Sequence, residues 1–578
     1  MVLPTNLNRF GGNKGKPYYC EVEYIGFDGA SFIDTGIYSS SDLKVELYCR
    51  GSRTNVNRAV FGGREATNIN AYVIWHNLSS SSYAYYMRFD YSNGQRQSTS
   101  TWQDNKWIKV VKDKEDNYMN DVAQTSNTSA SFLSSTTTVV LGAVKTGTTS
   151  FSYNYFLGDV SYCKIWDNGT LVRDYIPVID WDGVICWYDK VTKGLFYNDG
   201  TGTFTAGRQI HYVEYLTSDG SQYIDTGVNP TFTMIAEIKC QSTVTSVCPI
   251  GAGGEGSNNR WQIIASTQYY SGRIGNKTVT NQNARSTDLV VAKLDGQTKK
   301  LTVNGVSVNL TGSTDGEIPT DNTLSLFRRN MYDGSTVYAS FVGDIYWSKI
   351  WDNGVLLRDY MAAIDENGVG FMFDAVSHTI YDNAGSGAFA YPDVELEYLE
   401  SSGTQYIDTG VFPDDTTGVK LKLCLSNVTT DLVRFGCRQT TGDTRFVFGH
   451  TNGKAYFGFG VLMTNSGTLT QDVPFTANLN FYNDRYAFID NQTKKSLGDI
   501  SGIEFTYTAL LFARNYYGTI SRSAQKMYLC QMTRGSNLIL DLTPVIHEGA
   551  FCMYDAVSNT YFTNSGTGTF TGKIKEER

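Results

Sequence analysis

The sequence predicts an all-β protein built from three tandem antiparallel β-sandwiches. Three observations predict this fold. A block of about 185 residues recurs three times along the chain. Apolar and polar residues alternate inside each block, which is the period of a strand. The composition is rich in tyrosine, phenylalanine and glycine, with only 18% charged residues, and is typical of β-rich globular proteins. Helices are therefore expected to be short or absent.

The repeat is marked by motifs near both ends of each copy. The sequence reads Phe-Ile-Asp-Thr-Gly at 32–36 and Tyr-Ile-Asp-Thr-Gly at 223–227 and 406–410. A closing run, Lys-Ile-Trp-Asp-Asn-Gly, occurs at 164–169 and at 349–354, but copy three has a different sequence there. These motifs predict an N-terminal arm at 1–17, sandwiches at 18–208, 209–391 and 392–574, and a charged tail at 575–578.

Individual strands and turns are visible within the copies. In copy one, Leu43, Val45 and Leu47 alternate with residues that suit a solvent-exposed face of a sheet. Asn-Gly pairs lie between strand-like runs and predict two-residue hairpin turns, because such turns need positive φ at both positions. Three pairs placed in this way are at 168–169, 304–305 and 353–354. The linkers between copies are short, so neighbouring copies are expected to pack together.

The ten cysteines are too few for a disulfide scaffold. Cys163 and Cys530 hold equivalent places in copies one and three, and so do Cys186 and Cys552. Copy two lacks both cysteines of the pair. This joint loss predicts that the two positions are neighbours in space, as small buried thiols.

Charge and hydropathy exclude several classes of partner. The formal net charge is -9, and no basic stripe is visible, so no nucleic-acid partner is expected. No apolar stretch is long enough to cross a bilayer, and residues 1–17 lack the apolar core of a secretory signal. The sequence therefore predicts no membrane insertion and synthesis in the cytoplasm.

The repeated motifs resemble those of a known family. The opening Tyr-Ile-Asp-Thr-Gly, an internal strand at 301–306 and the closing Lys-Ile-Trp-Asp-Asn-Gly are similar to concanavalin A-like lectin or laminin-G-like modules. The resemblance implies a jelly-roll sandwich for each copy. It also implies the kind of protein to which the chain belongs, since similar repeats occur in bacteriophage tail, fibre and capsid-decoration proteins and in surface proteins of gut bacteria. The fold hosts lectins, glucanases and structural modules alike, so it does not by itself imply a function.

The sequence offers no convincing catalytic or metal centre. Glucanases of this fold need two carboxylates on one face of a strand, and no such run is present. Two sets of aspartates recur, and both are predicted to hold turns through hydrogen bonds to the backbone. They are Asp34, Asp225 and Asp408 in one set and Asp189, Asp374 and Asp555 in the other. The five histidines share no spacing, so neither a histidine metal site nor a catalytic triad is predicted.

Calcium is the one cofactor that the sequence leaves open. The oxygen-bearing side chains at 167–168 and 352–353 suit calcium, although the Asn-Gly hairpins already explain them. No other cofactor and no metal ligand are predicted.

Candidate sugar-binding residues collect in the variable middle of each copy, because sugars stack on aromatic faces and loops vary with the partner. Core packing is the competing interpretation for each of them. The candidates are Trp75, His76, Tyr85 and Tyr86 in copy one, Trp261, Tyr269 and Tyr270 in copy two, and His450, Tyr456 and Phe457 in copy three. Trp107 begins a strand-like run and is assigned to the core.

Together these features predict a non-enzymatic bacteriophage virion protein of the fibre or receptor-binding kind. Its three lectin-like modules would present loops to a host-surface glycan or to other virion proteins, which residues 1–17 would contact. A trimer is expected from the way fibres are built. The alternatives are a carbohydrate-binding adhesin at the bacterial cell surface and a glycoside hydrolase. Because copy three departs from the other two, it is expected to have a different partner.

Overall fold

The computed structural model describes most of the chain. Residues 1–14, several internal segments and residue 578 lie outside the described residues. The described residues are 15–51, 57–66, 69–78, 85–102, 104–127, 132, 135–148, 150–151, 155–254, 259–267, 269–284, 289–312, 316–319, 321–331, 340–439, 444–460 and 462–577.

The described part of copy one consists of nineteen strands. They are β1 (Tyr18–Val22), β2 (Ile25–Asp28), β3 (Ile33–Tyr38), β4 (Leu43–Gly51), β5 (Arg58–Arg64), β6 (Ala71–Leu78), β7 (Tyr85–Ser92), β8 (Gly94–Gln97), β9 (Ile108–Asp113), β10 (Asp116–Met119), β11 (Val122–Ala123), β12 (Thr138–Leu141), β13 (Lys145–Thr146), β14 (Ser150–Phe151), β15 (Leu157–Asp167), β16 (Thr170–Asp180), β17 (Ile185–Asp189), β18 (Leu195–Phe196) and β19 (Thr205–Ala206).

Copy two repeats this pattern. Its strands are β20 (Gln209–Tyr212), β21 (Leu216–Asp219), β22 (Ile224–Asp225), β23 (Ile235–Gln241), β24 (Val247–Gly253), β25 (Arg260–Ala265), β26 (Tyr269–Ile274), β27 (Lys277–Ala284), β28 (Val290–Asp295), β29 (Lys300–Val303), β30 (Val306–Asn309), β31 (Ser325–Leu326), β32 (Arg329–Met331), β33 (Val342–Asp352), β34 (Val355–Ile364), β35 (Gly370–Asp374) and β36 (Thr379–Tyr381).

Copy three has the same arrangement and includes a 3₁₀ turn at Phe481–Asn483. Its strands are β37 (Val394–Ser402), β38 (Ile407–Asp408), β39 (Thr417–Cys424), β40 (Leu432–Arg438), β41 (Arg445–Thr451), β42 (Lys454–Gly460), β43 (Leu462–Thr468), β44 (Phe475–Leu479), β45 (Tyr486–Ile489), β46 (Lys495–Ser496), β47 (Leu510–Leu511), β48 (Ala513–Tyr516), β49 (Thr519–Arg522), β50 (Ala524–Arg534), β51 (Asn537–His547), β52 (Ala550–Asp555), β53 (Thr560–Phe562) and β54 (Thr571–Ile574).

Each copy is a sandwich of two mainly antiparallel sheets. The first sheet contains the closing hairpin: β15–β16 in copy one, β33–β34 in copy two and β50–β51 in copy three. The second sheet is built on β5–β6–β7, β24–β25–β26 and β40–β41–β42. In copy one, the core lies between them, where Leu47 and Ile165 of the first sheet meet Phe61 and Ile74 of the second. The predicted all-β sandwich class is therefore confirmed.

The predicted turns and alternation are also confirmed. Strand β4 alternates buried and half-buried residues along its whole length. Each of the three predicted Asn-Gly pairs has positive φ at both residues and connects two paired strands, for instance φ of 47° at Asn168 and 76° at Gly169 between β15 and β16. The hairpins β29–β30 and β33–β34 have the same geometry.

Copies one and two form one compact unit, as the short linker between them predicts. Strand β20 pairs with β1 of copy one on one side and with β34 of copy two on the other, so their first sheets are continuous. The Nε2 atom of the buried His378 lies across the junction, 2.9 Å from the Val22 carbonyl oxygen, and Ser161 Oγ donates to the His378 carbonyl at 2.7 Å. Residues 366–369 and 390–575, which contain copy three, form a second unit. The domain boundaries themselves stay predictions.

The cysteine prediction was wrong in one respect. All ten cysteines are buried and free, but Cys163 and Cys186 are not neighbours. They lie on β15 and β17, with β16 between them, and their side chains belong to two different hydrophobic clusters. Their joint absence from copy two therefore does not reflect a contact between them.

Candidate functional site

The recurrent aspartates hold turns, as predicted. Asp34 Oδ1 accepts a hydrogen bond from the Gly36 amide at 3.0 Å, and Asp225 and Asp408 repeat this contact with the glycine two residues on. Asp189 is fully buried and accepts from the Val191 amide of its own turn at 3.0 Å and from the Asp174 amide of β16 at 2.8 Å; Asp374 and Asp555 make the equivalent contacts in their copies. These carboxylates are engaged in structural bonds, which does not suit a catalytic pair.

The calcium candidates are engaged in a similar way. Asp167 Oδ1 accepts from Ser40 Oγ at 3.1 Å, and Asp352 Oδ1 accepts from Thr231 and Thr233 hydroxyls, each at 2.7 Å. Within the described residues, no group of three His, Cys, Asp or Glu side chains could hold a metal ion. Calcium binding stays untested. Among the same residues, no helix is long and apolar enough to cross a membrane.

The structure corrects six of the ten sugar-binding candidates. Their side chains are buried, so no aromatic face is free to stack on a sugar. They are Trp75 (3% exposed), His76 (5%), Trp261 (0%), Tyr270 (2%), His450 (0%) and Phe457 (1%). Alternation explains most of the error, because every second residue of these strands points into the sandwich core. Tyr85 lies in β7, and its side chain is outside what the structure describes.

Two of the buried candidates have polar roles. Arg434 donates from Nη2 to His450 Nε2 at 2.7 Å, while His450 Nδ1 lies 3.1 Å from the Val428 carbonyl oxygen. Burial, with the Arg434 charge beside the ring, lowers the pKa of His450 to about 4. Trp75 belongs to the other face of its sheet, where Arg88 covers its ring at 4.6 Å.

Trp107 was wrongly assigned to the core. It is half-buried and precedes β9 on the outer side of the first sheet. Its ring stacks on Tyr48 at 5.1 Å, and the Arg50 guanidinium lies 4.7 Å from its centroid. The strand-like run starting at Trp107 did not reveal which face the ring would take.

The three remaining candidates share one location. Tyr86, Tyr269 and Tyr456 are each half-buried. Each lies on the third strand of a second sheet, at a position that alternates with core-facing residues, so each belongs to the sheet face that points away from the core. We call this the outer face. The structure thus brings the accessible tyrosines of all three copies to one kind of surface.

Strand register aligns the outer faces residue by residue. In each of the strands β6, β25 and β41, we call the second outward-pointing residue the central residue. It pairs with a glycine on one neighbouring strand, and on the other neighbouring strand it pairs with a residue that differs between copies. The three central residues are Val73, Gln262 and Val447; the glycines are Gly62, Gly251 and Gly436; the variable residues are Asp90, Arg273 and Gly458.

Copies two and three carry arginines at two equivalent positions of this face. The first is the residue two places before the central one, Arg260 or Arg445, where copy one has Ala71. The second position is Arg329 in copy two and Arg514 in copy three. Each arginine lies three residues after a leucine that pairs with β24 or β40, at Ile250 or Phe435 respectively. Copy one has Val144 there.

In copy two, the guanidinium groups are close enough to affect one another. Arg329 is 6% exposed and donates from Nη1 to Gln262 Oε1 at 2.9 Å. Burial lowers the pKa of Arg329, and the charges of Arg260 and Arg273 lower it further. The outer face of copy two is therefore cationic, despite the acidic balance of the whole chain.

Sequence reasoning missed these arginines because they come from strands far apart in the chain and make no basic run. A signal was present. Copies two and three share the sequence Leu-Phe-x-Arg-Asn at 326–330 and 511–515, and copy one lacks it. Aligning the middles of the copies would have identified the arginine of this motif.

The chain is similar to several solved structures. No protein-family model and no curated protein matches it. The structure is similar to the LG1-3 region of the laminin alpha2 chain, with 10% sequence identity, a TM-score of 0.24, and coverage of 96% of this chain and 100% of that chain. It is also similar to mouse laminin alpha1 domains LG4-5, with 11% identity, a TM-score of 0.23, and coverage of 64% and 96%.

A sialidase is also among the similar structures. A point mutant of NanB sialidase from Streptococcus pneumoniae has 9% identity and a TM-score of 0.18, with coverage of 96% of this chain and 92% of that chain. At these identities and TM-scores, the three similarities say nothing about activity or ligands. The sandwich fold is established by the sheets themselves.

Proposed function

We propose that the chain is a non-enzymatic binding protein whose modules present the outer faces of their second sheets to glycans. The observation that carries this proposal is that Tyr86, Tyr269 and Tyr456 share the outer face of their second sheets, a face that also carries arginine side chains in each copy. Tyrosine rings stack on the apolar side of a pyranose, and guanidinium groups bind its oxygen substituents.

A non-enzymatic role is supported by what the recurrent carboxylates do. Asp189, Asp374 and Asp555 are fully buried and accept hydrogen bonds from their own turns and from the neighbouring strand. A retaining glycosidase instead needs two carboxyl groups about 5 Å apart in a cleft that admits substrate. Three modules on one chain favour avidity, because several weak sites together bind a repetitive surface more tightly than any single one.

We propose further that the chain is carried on a bacteriophage particle, as a fibre, receptor-binding or decoration protein with other virion proteins as partners. This part of the proposal rests on the resemblance of the repeated motifs. Residues 1–17, most of which lie outside the described residues, are the proposed attachment arm, and a trimer is the proposed assembly.

A glycan array with the full chain tests the binding function. Binding that weakens in Tyr456→Ala or Tyr269→Ala, but not in Tyr482→Ala, supports it. Tyr482 is the matched control because it is 52% exposed and lies outside the second sheet. Silence from the whole array would overturn glycan binding. Mass spectrometry of purified phage particles tests the location, and absence of the chain from virions would overturn that part alone.

A further inference from the structure

The outer face of copy three gathers three arginines from three strands. Arg438 of β40 and Arg445 of β41 are direct cross-strand partners. Arg514 lies on β48, the parallel neighbour of β40, one residue before the Asn515 that pairs with Cys437. Like charges opposite each other on neighbouring strands destabilise a sheet. The fold therefore maintains a cluster of positive charge at some cost.

Aromatic rings accompany this arginine cluster. The Tyr516 ring lies 5.0 Å from the Arg438 guanidinium and 4.5 Å from that of Arg514, and its centroid is 4.2 Å from that of Tyr517. The phenol of Tyr456 lies across Gly449, so close that a Cβ there would be 2.6 Å from the hydroxyl. Rings and guanidinium groups thus form one half-exposed surface above a glycine and valine floor.

Copy one shows what this surface can hold. Arg64 occupies the register position of Arg438, and Asp90 occupies that of Gly458. The Asp90 carboxylate accepts from Trp75 Nε1 at 2.6 Å and from Arg88 Nη2 at 3.1 Å, and it attracts Arg64. Copy one therefore supplies its own carboxylate to its outer face. Copy three has glycine at that position and more arginines around it.

Buried arginine donors in copies two and three also lack a partner among the described residues. Arg514 Nε is buried and has no hydrogen-bond acceptor there, and the same is true of Arg260 Nε in copy two. A buried donor without an acceptor costs free energy unless a ligand supplies one. These two arginines occupy the two positions that distinguish copies two and three from copy one.

We propose that the outer face of copy three binds an acidic glycan. A carboxylate or sulfate group of the sugar lies above Gly458, where Asp90 lies in copy one, and accepts from Arg438, Arg445 and Arg514. The sugar ring stacks on Tyr516. The tyrosine pair favours a sugar over an acidic peptide, because a flat ring face matches the apolar face of a pyranose. This inference rests on the proposed glycan-binding function and specifies its ligand.

Titration calorimetry with the full chain tests the inference. The probes are oligogalacturonate for the carboxylate, dextran sulfate for the sulfate, neutral dextran and polyglutamate. We expect binding to one of the acidic sugars, weaker at high salt, and none to neutral dextran. Arg514→Gln should weaken binding roughly tenfold or more. Arg485→Gln, which removes the same charge from an exposed loop of copy three, should leave it unchanged.

A second pair of variants tests where the anion lies. Gly458→Asp introduces the carboxylate that copy one already has, and should weaken binding of the acidic sugar much more than Gly458→Asn, which has the same volume without the charge. Equal losses in the two variants would overturn the placement. Circular dichroism and thermal melting would show that each variant folds.

The outcomes separate this inference from the function on which it rests. Binding of neutral and acidic sugars alike, or acidic-sugar binding that Arg514→Gln leaves intact, would overturn the acidic-glycan site but not the glycan-binding function. Tighter binding of polyglutamate than of any sugar would assign the site to a peptide and overturn the inference. No binding to any glycan would overturn both.

Discussion

Acid should destabilise copy three through His450. The imidazole is fully buried, and its Nε2 accepts from Arg434 at 2.7 Å, so a proton there would displace the guanidinium. The pKa of this histidine is lowered to about 4, chiefly by burial. In the unfolded chain a histidine has a pKa of about 6.5, the value found in model peptides.

The sign and size of the effect follow from linkage. Below about pH 6.5 the unfolded state binds a proton that the folded state refuses, so the free energy of unfolding falls as pH falls. The stabilisation is fully present above pH 6.5 and is lost progressively towards pH 4. At about 1.4 kcal/mol per pH unit, the loss over this interval is about 3 kcal/mol.

Hydrogen exchange read by mass spectrometry can measure this loss in the full chain. Tryptophan fluorescence cannot, because all nine tryptophans precede residue 352. After correction for intrinsic exchange rates, peptides from β40 and β41 should lose protection between pH 6.5 and 4.5. His450→Gln keeps an acceptor for Arg434 but does not titrate, so its protection should depend much less on pH. His547→Gln removes a half-exposed histidine and serves as the control. An equal loss in the wild type and in His450→Gln would refute the reasoning.

Three further predictions concern stability. Burial lowers the pKa of Lys112 to about 7, so copy one should gain about 2 kcal/mol between pH 7 and 9 in urea unfolding followed by tryptophan fluorescence; a flat profile contradicts this. Gly436→Ala places a Cβ against the Phe446 carbonyl oxygen at φ of 114°, and should cost at least about 2 kcal/mol by hydrogen exchange. Gly453→Ala, in open space, should cost less. Asp555→Ala removes buried acceptors of 2.7 and 2.5 Å bonds, and should cost about 2 to 3 kcal/mol; an unchanged melting temperature would refute its role.

Much of the fold could be predicted because its signals are local. Alternation in β4 and the Asn-Gly turns at 168–169 and 353–354 depend on residues next to each other in the chain. The buried turn aspartates, such as Asp189, accept from backbone groups a few residues away as well as from the neighbouring strand. Such contacts leave a fixed spacing in each copy, and the repeat makes that spacing visible.

The candidate site was only partly predictable, because it depends on which face of a strand a residue takes. Trp261 and Tyr269 are both aromatic residues in the middle of copy two, yet the first is in the core and the second is on the outer face. A shift of one residue in register would exchange such faces. Composition cannot fix that register.

The sequence by itself determined three β-sandwich copies, their turns and the departure of copy three at its closing hairpin. Tertiary structure decided how the copies group by their outer faces, and this grouping differs from the one given by the closing hairpin. On the outer faces, copies two and three share arginines, while copy one carries Asp90. The physical reason is that Arg438, Arg445 and Arg514 become neighbours only when β40, β41 and β48 pair side by side. Positive charge that is scattered along an acidic chain is concentrated by strand pairing alone.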